Sequence, residues 1–239
     1  MVIKFPPSVQ HHRFTVADYH RMAELGILTE DHPVELLDGE VFYKADYRSP
    51  EFHHTSIQER YRFTVDEYER LIEAGILGEK DRVELIHGEI VKKMSIGPRH
   101  AAVVKRLIRL FSGQIQGIAQ IGAQDPVRLA DSEPEPDTSV LRPSPDDYES
   151  RHPTPAEVFV LIEVADSSLT DDRDIQGPLY ARNGIPEFWI VDLNTDTVLV
   201  YRNPQPDGTW AVSETHGRGD TLTVAALPGV AVAVADILP

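Results

Sequence analysis

The chain has 239 residues, a formal net charge of -16 and no cysteine. Such a length can bury one substantial core, or one core and a small accessory unit; the missing cysteines exclude disulfides, thiolate metal sites and a cysteine nucleophile. The acidic balance argues against broad electrostatic capture of nucleic acid, and with no run near the roughly 20 apolar residues of a membrane span and no leader pattern, a soluble cytoplasmic protein is expected.

The first element in chain order is a repeat. Arg13-Phe14-Thr15-Val16 recurs as Arg62-Phe63-Thr64-Val65, and at the same offset Val34-Glu35-Leu36-Leu37-Asp38-Gly39-Glu40 matches Val83-Glu84-Leu85-Ile86-His87-Gly88-Glu89. About half of the paired positions are identical, which marks a duplicated segment. In each copy Thr15 or Thr64 reads as a helix N-cap answered by Asp18 or Glu67, and Gly26 or Gly75 ends the helix. A hairpin follows, with His87-Gly88 as the two-residue turn of the second copy. The copies then diverge. The second leads into a helix over Ala101 to Phe111, apolar on one face and carrying Lys105, Arg106 and Arg109 on the other. The first runs into the polar segment Ala45 to Ser56. Residues 1–54 therefore read as an incomplete duplicated unit with a linker, and residues 55–239 as the complete domain. The pairs His11-His12 and His53-His54 read as solvated linker, because adjacent histidines in polar loops rarely converge on one ion.

Further on, Gln120 to Leu129 predicts a strand or strand pair, and a proline-rich acidic loop leads to the strand that opens at Asp137. The strand Val158-Phe159-Val160-Leu161-Ile162-Glu163-Val164-Ala165 comes next, then capping residues over Ser167 to Asp174 and a helix over Gln176 to Asn183. Glu187 to Asp192 is another apolar strand, and Thr197 to Arg202 with Thr209 to Ser213 predicts a hairpin. The order implies an α/β fold: a mixed sheet flanked by helices, with a C-terminal β-hairpin region.

Asp137 and Glu163 each put a carboxylate beside an apolar strand. Two acids brought together there would repel unless a cation sat between them, and hard divalent ions such as magnesium or manganese take such oxygen ligands. The ordinary reading is a turn cap at Asp137 and a strand-end ion pair at Glu163, and spacing alone favours it.

The ordered set Pro136-Asp137, Leu161-Ile162-Glu163-Val164, Asp171-Asp172-Arg173 and Pro178 to Asp192 resembles the Uma-two family, assigned to restriction endonucleases of the PD-(D/E)XK nuclease superfamily. The resemblance runs from about Arg62 onward and implies a restriction-endonuclease-like fold that hydrolyses DNA phosphodiester bonds with Mg2+ (or Mn2+). It implies Asp137 and Glu163 as metal ligands, with the carbonyl of Val164 as a third. Glu84 and His100 match positions near such a site, though a solvent-facing strand position and a helix N-terminal residue account for them equally well. At the position where the family usually has a lysine this chain has Gln176, which carries no charge, so catalysis is expected to be weak or lost unless Arg173 supplies the charge. Hydrolysis of another phosphoester stays open. So does a non-catalytic interaction or nucleic-acid-binding role, in which the extra copy pairs with a sheet edge in cis or across a homodimer.

Overall fold

The computed structural model describes residues 5–6, 9–44 and 59–239. The chain forms two compact units, one of residues 1–93 with 130–133, the other of residues 94–129 with 134–239. The second copy of the repeat thus lies with the first copy, whereas the sequence placed it in the domain starting at residue 55.

In the first unit both copies fold alike. The first gives α1 (Val16–Glu24), β1 (Val34–Leu37) and β2 (Glu40–Tyr43); the second gives α2 (Val65–Glu73), β3 (Val83–Ile86) and β4 (Glu89–Lys92). Both helices start with a complete capping box, Thr15 with Asp18 and Thr64 with Glu67. Each box satisfies two backbone donors that a helix end leaves open. The hairpin turns have positive φ at both central residues, Asp38 and Gly39 in one, His87 and Gly88 in the other, the twist that joins antiparallel strands tightly. Only glycine fits the second position. A Cβ on Gly88 would come within 2.8 Å of the Arg62 Cβ, because Phe63 N–H donates to the Gly88 carbonyl at 2.8 Å.

The copies also pair with each other. Residues just before α1 join β4, with His12 N–H donating to Ile90 O at 2.8 Å and Lys92 N–H to Gln10 O at 2.7 Å. Residues just before α2 join β2 in the same way, with Tyr61 N–H to Val41 O at 2.8 Å and Tyr43 N–H to Glu59 O at 2.9 Å. His11 is therefore half-buried and His12 buried at a strand pairing rather than solvated. The sequence did not betray this because each pairing strand is too short to carry a periodic signal. His53-His54 and the segment Ala45 to Ser56 lie outside the described residues.

The second unit is built on a six-stranded sheet in the order β10-β9-β8-β7-β6-β5. The strands are β5 (Gln120–Gly122), β6 (Thr138–Leu141), β7 (Val158–Ala165), β8 (Glu187–Asp192), β9 (Thr197–Pro204) and β10 (Trp210–His216). Only β7 and β8 run parallel, so the sheet is mixed. All eight residues of β7 are buried, as expected of a strand covered on both faces. Helix α3 (Pro98–Ser112) packs Leu107 and Phe111 with Val160, Ile162 and Trp189 in the main core. Two further strands, β11 (Thr221–Val224) and β12 (Leu227–Ala233), form a hairpin, followed by the short α6 (Val234–Ile237).

Two local expectations change. Val127 to Leu129 forms no strand and is held instead by Val127 N–H donating to Pro134 O at 2.9 Å. The helix expected from Gln176 already begins with α4 (Leu169–Asp171), continues through a π-helical turn (Asp172–Gln176) and ends as α5 (Gly177–Arg182). Pro178 accounts for the wide turn: it has no N–H and would crowd the carbonyl four residues back, so Gly177 N–H reaches Asp172 O instead.

Candidate active site

Asp137 directly precedes β6 and Glu163 lies within β7, and the β6–β7 pairing brings them to one corner of the sheet. They are locked by crossed hydrogen bonds. The Asp137 amide donates to Glu163 Oε2 at 3.1 Å, and the Val164 amide donates to Asp137 Oδ2 at 2.9 Å. Thr138 pairs with Ile162, so the same register would set Pro136 opposite Val164. A strand residue points its N–H and C=O to the same side. The Val164 carbonyl is thus turned toward the Asp137 side, and Pro136 has no N–H to offer it.

Further side chains close the corner. His100, in the first turn of α3, places Nε2 2.7 Å from Asp137 Oδ2. Burial works to lower the His100 pKa, but the hydrogen bond and charge of Asp137, with the charges of Asp172 and Asp166, outweigh it and raise the pKa. Its Nδ1 is buried with no hydrogen-bond partner among the described residues. On the opposite side, the hydroxyl of the fully buried Tyr180 donates to Glu163 Oε1 at 2.9 Å and lies 3.0 Å from the Gln176 side-chain amide. One hydroxyl proton cannot serve two acceptors. The chain of bonds closes when the Gln176 NH2 donates to the Tyr180 oxygen and Tyr180 donates to Glu163.

The structure therefore brings together Asp137, Glu163, Val164, His100 and, through Tyr180, Gln176. Arg173 is half-exposed and binds its neighbour Asp174 at 2.7 Å, in a π-turn whose wider winding undoes the simple three-residue spacing to Gln176. Glu84 stands on β3 of the first unit, opposite Val91. Sequence reasoning missed Tyr180. Its signal was the four-residue step from Gln176, which puts the two on one helix face.

The donor set suits a hard cation, since the two carboxylates and the Val164 carbonyl all offer oxygen. No group of three or more His, Cys, Asp or Glu side chains able to hold a metal occurs among the described residues. A cation here would thus have two carboxylates and a backbone carbonyl from the protein, the rest of its shell being water or substrate.

The model of the Uma2 family, described as "Putative restriction endonuclease", matches residues 65–235. The chain belongs to the Uma2 family. Among solved structures it is similar to a crystal structure described as a putative nuclease belonging to DUF820 from Anabaena variabilis ATCC 29413. The TM-score is 0.58 and the identity 20%, over 73% of this chain and 97% of that one. That likeness gives the Uma2 chain a nuclease-type fold. No curated protein matches it. Among the described residues, no helix is long and apolar enough to cross a membrane.

Proposed function

We propose that this Uma2 chain hydrolyses DNA phosphodiester bonds at the Asp137–Glu163 corner with the help of Mg2+ or Mn2+. The family description supports a nuclease function. The observation that carries the finer reading is the crossed pair, in which each carboxylate accepts an amide from the other's strand. Asp137, Glu163 and the Val164 carbonyl would hold the ion. When bound, it would polarise the scissile phosphate and lower the pKa of the attacking water. The protein's own side chains fix the ligands. His100 holds Asp137, and Tyr180 orients Glu163 through a buried hydroxyl. Second partners of this kind set ligand direction and basicity.

Gln176 fixes the Tyr180 hydroxyl and contributes no charge to the phosphate, while Arg173 is engaged by Asp174. Missing electrostatic stabilisation of this kind costs on the order of 10²- to 10³-fold in rate. That specific observation favours a second reading, a member that binds DNA without cutting it. With a net charge of -16, binding in either case would be weak and would fall steeply with salt.

Cleavage of supercoiled plasmid in Mg2+ or Mn2+ separates the two. The catalytic reading expects slow nicking by the wild type, none by Asp137→Ala, and faster nicking by Gln176→Lys. If Gln176→Lys gains nothing and Asp137→Ala loses nothing, hydrolysis at this corner is ruled out.

A further inference from the structure

The pairing between the two copies has the form of a two-fold symmetric interface. At a two-fold axis, whatever residue i does to residue j, j does to i. The backbone bonds obey this, since the strand before α1 joins β4 as the strand before α2 joins β2. So do the ion pairs. His11 meets Glu89 at 2.7 Å, and Arg60, the equivalent of His11, meets Glu40, the equivalent of Glu89. Equivalent residues touch each other where such an axis would pass, and the rings of Phe14 and Phe63 lie 5.9 Å apart. Interfaces of this kind ordinarily join two identical chains. The family match begins at residue 65 and leaves the first copy outside it.

We infer that the first copy stands in for a second subunit, and that the surface it covers along β4 fits the residue 59–61 strand of another copy of this chain. The extra repeat thereby keeps the protein monomeric by satisfying within one chain an edge that would otherwise recruit a partner. Left open, β4 would present Ile90 O and Lys92 N–H to any matching strand. The second copy already carries the complement, since Arg60 of one chain would meet Glu89 of the other twice over.

Light scattering on full-length protein tests this. The wild type should run at 26.8 kDa. The variant His12→Pro with Glu40→Arg removes the bond to Ile90 and repels Arg60, and should shift toward twice that mass. Adding Glu89→Arg sets like charges against each other across the new interface and should return the protein to a monomer. A dimeric wild type, a variant that stays monomeric with its circular dichroism intact, or a dimer indifferent to Glu89→Arg would overturn the inference. Should the variant precipitate, His11→Cys with Val91→Cys decides. These residues form a bridge whose hydrogen bonds lie on either side, a pair about 4.5 Å apart at Cα, within disulfide reach. Oxidation should close a bond within one chain, and covalent dimers would contradict the inference. None of these readouts depends on nuclease activity.

Discussion

Glu89 in the first unit and Asp137 in the second are both acids drawn out of water, yet their surroundings differ. Glu89 is met by His11 at 2.7 Å, by Arg62 at 3.6 Å and by Arg60 at 4.0 Å. Asp137 has one ion-pair partner among the described residues, His100, and otherwise accepts the Val164 amide. Beside it, Glu163 receives a hydroxyl and another amide. Glu89 is thus set among built-in cations, and Glu187, 1% exposed and bound by Arg202, Trp189 and the Ala225 amide, also has one. The buried acids Glu67 and Asp192 are instead held singly by hydroxyls and amides. The corner at Asp137 keeps two carboxylates together under mostly neutral donors, an arrangement suited to a cation from outside.

The contrast should be largest in stability. Glu89→Ala strands a group of cations in a half-buried setting and should cost about 3–5 kcal/mol in denaturant unfolding. Glu163→Gln keeps one acceptor, for the Asp137 amide, and turns its NH2 toward the Tyr180 oxygen, which can accept it while the hydroxyl donates to Gln176, so one of two like charges is removed with the hydrogen bonds still satisfied. Its metal-free stability should stay within about 1 kcal/mol of wild type or rise, in the manner of active-site residues kept at a cost to stability. Equal destabilisation by the two substitutions would erase the distinction between the corners.

Tyr180→Phe sharpens the comparison at smaller scale. It removes the hydroxyl that orients Glu163 and leaves the ring packing against Phe188. Divalent-ion affinity should fall by about 10-fold, the lower range for the loss of a ligand's supporting partner. An unchanged affinity in calorimetry would remove Tyr180 from the site.

The smallest effect concerns His12, at the pairing of the two copies. Burial lowers its pKa below 6.5, helped by the charge of Lys92 and opposed by Asp81 and Asp18. The unfolded chain then binds the proton more readily than the folded one. The contribution of neutral His12 is therefore complete above pH 6.5 and declines as pH falls through the lowered folded value. His12→Gln should flatten the thermal stability of the protein as pH falls below 6.5, and an unaltered slope there would assign the dependence to other groups.

What could be read from the sequence follows the range of the forces involved. The capping boxes at Thr15 and Thr64 and the turn at His87-Gly88 were legible because each is closed by neighbours three residues apart or fewer. The strands of the mixed sheet were legible from their apolar runs. The pairing of His12 with Ile90 was not, since two backbone bonds between distant segments leave no pattern in composition. The π-turn was hidden for a related reason: Pro178 announces that a helix is disturbed but not whether it stops or widens. At the corner, the apolar runs marked Asp137 and Glu163 as unusual, yet only the β6–β7 register, which joins residues 26 apart, brings them together.

Calorimetric titration of Mg2+ and Mn2+ into the wild type and into Asp137→Ala with Glu163→Ala tests the central claim most directly. The account predicts one site per chain in the wild type and no binding in the double variant, with both proteins folded. A folded wild type that takes up neither ion, or a double variant that binds as well as the wild type, would contradict it.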